Sequence, residues 1–130
     1  MKLANSCRDL VSYQKAFALQ QNIFHTSKKF PKEETYSLTD QIRRSSRSVG
    51  ANIAESWQKK RYEAHFISKL TDADAENAET QHWLDTAHRC GYVSTPEHVV
   101  LSDASAEVGR LIGAMIITAS RWCARDNTGH

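Results

Sequence analysis

The chain has 130 residues, a formal net charge of +2 at pH 7, 40% hydrophobic residues and 25% charged residues. This length and composition predict a single soluble domain, residues 1–130, that is large enough for its own core. The longest nearly apolar run, Leu111 to Ala119, is too short for the roughly 20 residues that cross a bilayer. The N-terminus lacks the apolar region of a secretory signal, so we expect a cytoplasmic protein without a membrane partner. The net charge alone is too small to indicate nucleic-acid binding.

Apolar residues that recur at three- and four-residue steps predict four helices, at about 11–28, 36–60, 63–90 and 96–124. Pro31 ends the first helix because it cannot continue the hydrogen-bonded backbone. The core-facing stripe expected on this helix consists of Leu10, Tyr13, Gln14, Phe17, Gln21 and Phe24, widened by Ala16, Leu19 and Ile23.

The second helix has the clearest core stripe. It consists of Leu38, Ile42, Ser46, Val49, Ile53 and Trp57. Gly50, near the middle of this helix, costs roughly 1 kcal/mol relative to alanine. We therefore expect a bend or a close neighbour at Gly50.

The third and fourth helices have matching stripes and clear end signals. The stripe of the third is Phe66, Leu70, Ala73, Asn77, Thr80, Leu84 and Ala87, and that of the fourth is Leu101, Ala104, Val108, Leu111, Met115, Ala119 and Trp122. Gly91 is placed to cap the third helix in a left-handed conformation. Thr95 is the expected N-cap of the fourth, with Pro96 at its first position. Because the pattern contains no strands, it predicts an all-α, antiparallel up-down four-helix bundle.

The outer face of the second helix is unusual because it combines Arg43, Arg44 and Arg47 with the small residues Ala51 and Ala54. Guanidinium groups bind phosphate in bidentate geometry, so one interpretation is a nucleic-acid-binding strip for RNA or DNA. The other interpretation is salt bridging to the third helix. Residues 36–61 hold six basic and two acidic side chains, whereas residues 62–90 hold two basic and six acidic ones. The sequence leaves both interpretations open.

An acidic stripe on the third helix favours self-association. Asp72, Glu76 and Glu79 share one side of this helix with Trp83, whose position outside the core stripe is typical of an interface anchor. The predicted interface between copies of the chain consists of Arg43, Arg47, Ala51, Ala54, Asp72, Glu76, Glu79 and Trp83. The leading functional hypothesis is therefore a homo-oligomeric scaffold.

Two polar residues of the second helix, Asn52 and Glu55, lie one turn apart beside the core stripe. They are interpreted as a structural polar network that fixes the helix register, with ligand binding as the alternative.

No constellation of residues indicates catalysis. Glu79 with His82, and Asp85 with His88, have the Glu-x-x-His type of spacing used in di-iron bundles, but both pairs lie on one helix, whereas such a site draws ligands from all four. Three cysteines without a Cys-x-x-Cys pair are typical of reduced thiols. We expect no catalytic residue, metal or cofactor.

Several segments resemble one known family. They are RDLVSYQKA at 8–16, KKFPKEETYSLTDQIRRSSRSV at 28–49, NIAE at 52–55 and ETQHWLDTAHRCGY at 79–92. The family is the four-helix-bundle family named for open reading frames in the intervening sequences of bacterial 23S ribosomal RNA genes. It also includes the accessory protein of diversity-generating retroelements. The resemblance extends from Arg8 to about Trp122.

The resemblance implies a bundle that assembles into a ring-like homopentamer and has no catalytic residues. For the retroelement branch it also implies binding of nucleic acid and of a reverse transcriptase through a basic surface. Carried over to this chain, the binding residues are Arg43 and Arg44 of the QIRR motif, with Arg47 beside them.

Overall fold

A computed structural model describes residues 4–127, with side chains as far as residue 123. The predicted domain also includes residues 1–3 and 128–130, which lie outside the described residues. The described part of the chain is helical without strands. Its α-helices are α1 (Val11–Ser27), α2 (Asp40–Gln58), α3 (Glu63–Arg89), α4 (Thr95–Ile117) and α5 (Ala119–Asn127). Short 3-10 helices at Cys7–Asp9 and Lys32–Glu34 and a π-helix at Thr35–Thr39 complete the connections.

The four long helices contact one another in a cycle: α1 with α2, α2 with α3, α3 with α4, and α4 with α1. Side-chain contacts join these helices. Ser12 of α1 contacts Met115 of α4, and Lys29, two residues beyond the end of α1, pairs with Glu97 of α4. No helix among residues 4–127 is long and apolar enough to cross a membrane.

The core stripes of α2 and α3 are confirmed by the structure. All seven stripe residues predicted for α3 are buried, and so are the six predicted for the second helix. Gly50 is also buried, in an uninterrupted part of α2. A Cβ atom at Gly50 would lie 3.8 Å from both Tyr13 Cε1 and Gln20 Oε1, which is ordinary contact distance. The neighbour expected at Gly50 is therefore α1.

The stripe predicted for α1 is correct in part, since Leu10, Ala16, Leu19 and Ile23 are buried as expected. The buried side of this helix consists of Ser12, Ala16, Leu19, Ile23 and Ser27, whereas Phe17 remains 47% exposed. The two serines on this buried side have hydrogen-bond partners for their hydroxyl groups. Ser12 Oγ donates to Met115 Sδ at 3.1 Å, and Ser27 Oγ donates to the Phe24 carbonyl oxygen at 2.9 Å. A hydrogen-bonded serine is inexpensive to bury, so an apolar pattern alone does not identify Ser12 and Ser27 as core residues.

The helix ends follow local chemistry with two corrections. Gly91 has φ +79°, and the backbone N–H groups of Gly91 and Tyr92 donate to the carbonyl oxygens of His88 and Ala87, which completes the predicted left-handed cap. The N-cap of α4 is Ser94 rather than Thr95, since Ser94 forms a capping box with Glu97. The single helix predicted at 96–124 is divided at Thr118, where α4 ends and α5 follows.

The stripe of the fourth predicted helix is correct in part. Leu101, Val108, Met115 and Ala119 are buried as expected. Ala104, Leu111 and Trp122 are only half-buried. Their places in the core are taken by their C-terminal neighbours Ser105, Ile112 and Cys123. The buried side of this helix is therefore rotated slightly from the predicted one.

Candidate interaction surfaces on the two flanks of α2

The α2 helix lies between α1 and α3 and presents a different side to each. Arg43 and Arg44 are adjacent in sequence, so their side chains leave the helix about 100° apart. Arg43 reaches α1, where its Nε donates to Ser27 Oγ at 2.8 Å. Arg44 reaches α3, where it pairs with Glu76 and Glu79. We call the two outer edges of α2, with the neighbouring surface of the adjacent helix, the α1 flank and the α3 flank.

The α3 flank is a network of ion pairs. Arg44 pairs with Glu79, and its Nη1 lies 3.3 Å from Glu76 Oε2. A second group of ion pairs lies further along the same flank. Lys69 Nζ of α3 lies 3.1 Å from Glu55 Oε1 of α2 and 3.7 Å from Asp72 Oδ2 of α3. Four carboxylates thus meet two cations, which leaves two negative charges uncompensated on this flank. These contacts match the salt-bridge interpretation for Arg44 within one chain.

Trp83 belongs to the same network. Its indole Nε1 donates to Glu79 Oε2 at 3.0 Å, and its ring contacts His82 edge-on at 4.8 Å between centroids. The Trp83 hydrogen bond, with a smaller contribution from Arg44, lowers the pKa of Glu79 below its ordinary value of 4.5. Glu79 and Glu76 in turn raise the pKa of Arg44. The Trp83 side chain is half-buried against the core, so only part of it is available to a partner.

The α1 flank carries positive charge around one aromatic ring. The Phe24 ring centroid lies 4.8 Å from the guanidinium carbon of Arg43, 5.5 Å from that of Arg47 and 4.9 Å from Lys28 Nζ. We call Phe24 and these three side chains the cation cluster. Attraction to the ring face offsets part of the repulsion among three like charges. Within residues 4–127, none of the three cations forms an ion pair with a carboxylate, so this flank holds three uncompensated positive charges.

Sequence reasoning missed two members of this cluster, Phe24 and Lys28. The contact between Phe24 and Lys28 could be predicted from the sequence, because residues four apart on a helix are neighbours. Their proximity to Arg43 and Arg47 depends on how α1 packs against α2, and no local pattern reports that.

The small residues of α2 border the α1 flank and the outer surface. Gly50 faces Tyr13 and Gln20 of α1, Ala54 is half-buried, and Ala51 is exposed. The predicted interface residues therefore divide between the flanks. Arg43, Arg47 and Ala54 lie towards α1, whereas Asp72, Glu76, Glu79 and Trp83 lie on the α3 flank, and Ala51 lies between the two.

Asn52 and Glu55 do not form a buried network with each other. Asn52 is half-buried and its Nδ2 donates to the Ser48 carbonyl oxygen at 2.9 Å, within its own helix. The Glu55 side chain is 54% exposed and pairs with Lys69. The buried polar contacts between helices involve other residues. Thr80 Oγ1 donates to Ser45 Oγ at 2.9 Å between α2 and α3, and Asn77 bonds to Ser105 between α3 and α4.

The two flanks lie at the same level of the fold. The Arg43–Ser27 hydrogen bond aligns this part of α2 with the C-terminal part of α1, and the Arg44 ion pairs align it with Glu76 and Glu79. The cation cluster and the carboxylates are therefore level with each other, on opposite edges of α2.

The histidine pairs do not assemble into a metal centre. Within the described residues, no group of three or more His, Cys, Asp or Glu side chains is arranged to hold a metal ion. His98 Nε2 lies 2.8 Å from Asp85 Oδ1, and the His98 ring stacks on His88 with centroids 4.4 Å apart. These contacts join the end of α3 to the beginning of α4.

The geometry defines an all-α protein whose second helix has two oppositely charged flanks. A family model described as 23S rRNA-intervening sequence protein matches residues 8–114, and the chain belongs to this family. The chain is also similar to the crystal structure of a protein of unknown function from the S23 ribosomal protein family of Bacteroides thetaiotaomicron. The two are 30% identical with a TM-score of 0.74, and the match covers 82% of this chain and 98% of the other. No curated protein matches this chain significantly.

Proposed function

We propose that the protein is a non-enzymatic, homo-oligomeric scaffold that acts in the cytoplasm. The observation that carries the proposal is the opposite excess charge on the two flanks of α2. Three positive charges lie on one flank and two negative charges on the other, at the same level. Complementary surfaces on opposite sides of one molecule favour a head-to-tail contact between copies.

The proposed subunit is an antiparallel up-down four-helix bundle. The pairs Arg44–Glu79 and Glu55–Lys69 support opposite directions for α2 and α3, as the α1–α4 pairs do for those helices. When complementary surfaces lie at one level, repeated rotation about an axis along the helices closes a ring without a rise between copies. The family resemblance sets the expected number of copies at five.

The oligomeric state tests this proposal directly. Light scattering after size exclusion at micromolar concentration should give a mass several times the 14.7 kDa of one chain. A monomer under these conditions would contradict the scaffold.

A charge exchange tests the role of the flanks. Arg47→Glu and Glu76→Arg should each weaken the assembly, and the two together should restore it in part. Arg47 is exposed and Glu76 is half-buried at the surface, so neither residue belongs to the core. Arg110→Glu, an equal charge change at an exposed position of α4, is the matched control and should leave the mass unchanged.

A second candidate function is supported by the cation cluster alone. Three cations without a carboxylate partner are able to bind phosphate, which favours a nucleic-acid-binding accessory factor for RNA or DNA. The family resemblance extends this candidate to a partnership with a reverse transcriptase. Because Arg44 is already paired with two carboxylates, the binding residues would be Arg43 and Arg47 rather than Arg44.

An electrophoretic shift assay with structured RNA and duplex DNA tests this candidate. Retention should weaken steeply as salt rises, and Arg47→Ala should reduce it more than the control Arg110→Ala does. Absence of retention at low salt would eliminate the candidate.

A further inference from the structure

Three aromatic residues of α1 lie outside the core. Tyr13, Phe17 and Phe24 are spaced four and seven residues apart, which places them along one side of the helix. Phe17 is 47% exposed, and Tyr13 and Phe24 are half-buried. The Tyr13 and Phe17 ring centroids are 6.1 Å apart. We call these three residues the aromatic stripe.

The aromatic stripe is continuous with the α1 flank. At one end, Phe24 is the ring of the cation cluster. At the other end, Tyr13 lies against α2 near Gly50. The stripe is thus an apolar strip bordered by cations, while the core side of α1 consists of Ser12, Ala16, Leu19, Ile23 and Ser27. A surface with an apolar centre and a charged border has the composition of a protein–protein interface.

We propose that the aromatic stripe is the apolar centre of the contact with a second copy of this chain, with Phe17 as its anchor. The inference rests on the proposed self-association and adds α1 to the surfaces of α2 and α3 already considered. In this contact the cation cluster faces the carboxylates on the α3 flank of the neighbouring copy.

The spacing of the two surfaces supports this arrangement. Phe17 precedes Phe24 by seven residues, about 10 Å along α1, and Asp72 precedes Glu79 by the same distance along α3. When the cation cluster is level with Glu79, Phe17 is therefore level with Asp72. Two exposed alanines lie beside Asp72 at this level, Ala75 on α3 and Ala51 on α2. Their small side chains leave room for a phenyl ring from the neighbouring copy.

A second copy fits this surface better than a nucleic acid does. Bases bind to aromatic residues by stacking on an open ring face. The cations of the cluster lie over the face of Phe24 and compete with a base for it. The carboxylates of the α3 flank, by contrast, supply the missing negative charge.

Substitution of the anchor tests the inference. Phe17→Ser should raise the apparent dissociation constant of the oligomer about tenfold or more, measured by light scattering over a dilution series. The matched control is Val100→Ser, since Val100 is 65% exposed on α4, away from the stripe, and should leave the constant unchanged. Circular dichroism should show the same helical content for both variants. If Phe17→Ser loses helical content, the inference is tested by the cross-linking experiment below.

Cross-linking tests the contact independently of stability. In a Cys90→Ser background, the pair Phe17→Cys and Ala75→Cys should give covalent multimers on mild oxidation. The control pair Val100→Cys and Ala75→Cys should stay uncross-linked. Absence of multimers from the first pair would overturn the inference.

The outcomes separate the inference from the scaffold on which it rests. A monomeric wild-type protein would contradict both. A wild-type oligomer whose mass and dissociation constant are unaffected by Phe17→Ser would contradict the aromatic stripe alone. If Phe17→Ser abolishes RNA retention and leaves the oligomer intact, the stripe binds nucleic acid and the inference is wrong.

Discussion

Asn77 and Ser105 exchange two hydrogen bonds across the contact between α3 and α4. Asn77 Nδ2 donates to the Ser105 carbonyl oxygen at 2.9 Å, and Ser105 Oγ donates to Asn77 Oδ1 at 2.9 Å. Both residues are buried, so each hydrogen bond forms away from water. A sliding movement of one helix along the other would break both bonds, and the pair therefore specifies the register of α3 and α4.

Removal of this amide should destabilise the fold. Asn77→Ala is expected to lower the free energy of unfolding by about 1–3 kcal/mol, because a buried hydrogen-bonded partner is lost and a small cavity remains. Asn22→Ala, at an exposed position of α1, is the control and should change it by less than about 0.5 kcal/mol. Urea unfolding measures both. Equal values for the two variants would show that the buried pair contributes nothing.

Two glycines of α4 provide a matched pair of substitutions. A Cβ atom at Gly113 would meet no heavy atom within 4 Å, whereas one at Gly109 would lie 3.3 Å from Asn77 Nδ2. Gly113→Ala should therefore stabilise the protein by about 0.5–1 kcal/mol through helix propensity. Gly109→Ala should gain less, because the Asn77 amide has to move. Urea midpoints compare the two, and a larger gain at Gly109 would be inconsistent with the tight contact.

The Trp83–Glu79 hydrogen bond should be visible in the titration of Glu79. Trp83→Phe removes the N–H donor and should raise the pKa of Glu79 towards its ordinary value of 4.5. Trp122→Phe is the control, since the Trp122 indole donates to Thr118 and is remote from Glu79. Side-chain carboxyl NMR measures the pKa in each variant. A Glu79 pKa that is the same in wild type and in Trp83→Phe would refute the assignment.

The same shift has a consequence for stability. Because the pKa of Glu79 is lower in the folded state, its contacts stabilise the fold fully above the ordinary value of 4.5 and are lost as pH falls through the lowered pKa. The fall in urea midpoint between neutral pH and about pH 3 should be smaller for Trp83→Phe than for wild type. The effect is small, since the carboxylate is partly exposed to solvent.

The hydroxyl group of Tyr92 should lose its proton at a higher pH than an ordinary tyrosine does. Its Oη donates to Glu34 Oε2 at 2.8 Å, and this carboxylate raises the pKa of Tyr92 to about 12. Alkaline titration followed by phenolate absorbance should show a late step that Glu34→Gln shifts to lower pH. Glu33→Gln, its sequence neighbour, serves as control and should shift it much less. A late step that persists in Glu34→Gln would contradict the assignment.

Features that depend on neighbours within one turn could be predicted from sequence. The buried stripes of α2 and α3 are examples, because residues three and four apart necessarily share a side of a helix. The left-handed cap at Gly91 is another, since it requires only the local backbone. The predicted N-cap of α4, Thr95, is one residue too late, because Ser94 and Thr95 are both suitable caps and only Ser94 is followed three residues later by Glu97.

Features that depend on which helix packs against a residue could not be predicted from the sequence. The divergence of Arg43 and Arg44 onto opposite flanks is one example, and the exposed Phe17 is another. In α1 apolar residues recur at helical spacing on two sides, one with the aromatic residues and one with Ala16, Leu19 and Ile23. The packing of α1 against its neighbours buries the second side.

The amino-acid sequence by itself determined four long helices, most of their boundaries, the core sides of two of them and membership of a family. These properties follow from side-chain periodicity and from hydrogen bonds between residues a few positions apart. Only the tertiary structure decided which charges are compensated, where the buried polar pairs lie and which aromatic residues remain at the surface. Each of these depends on contacts between residues distant in sequence, and such contacts exist only once the helices have packed.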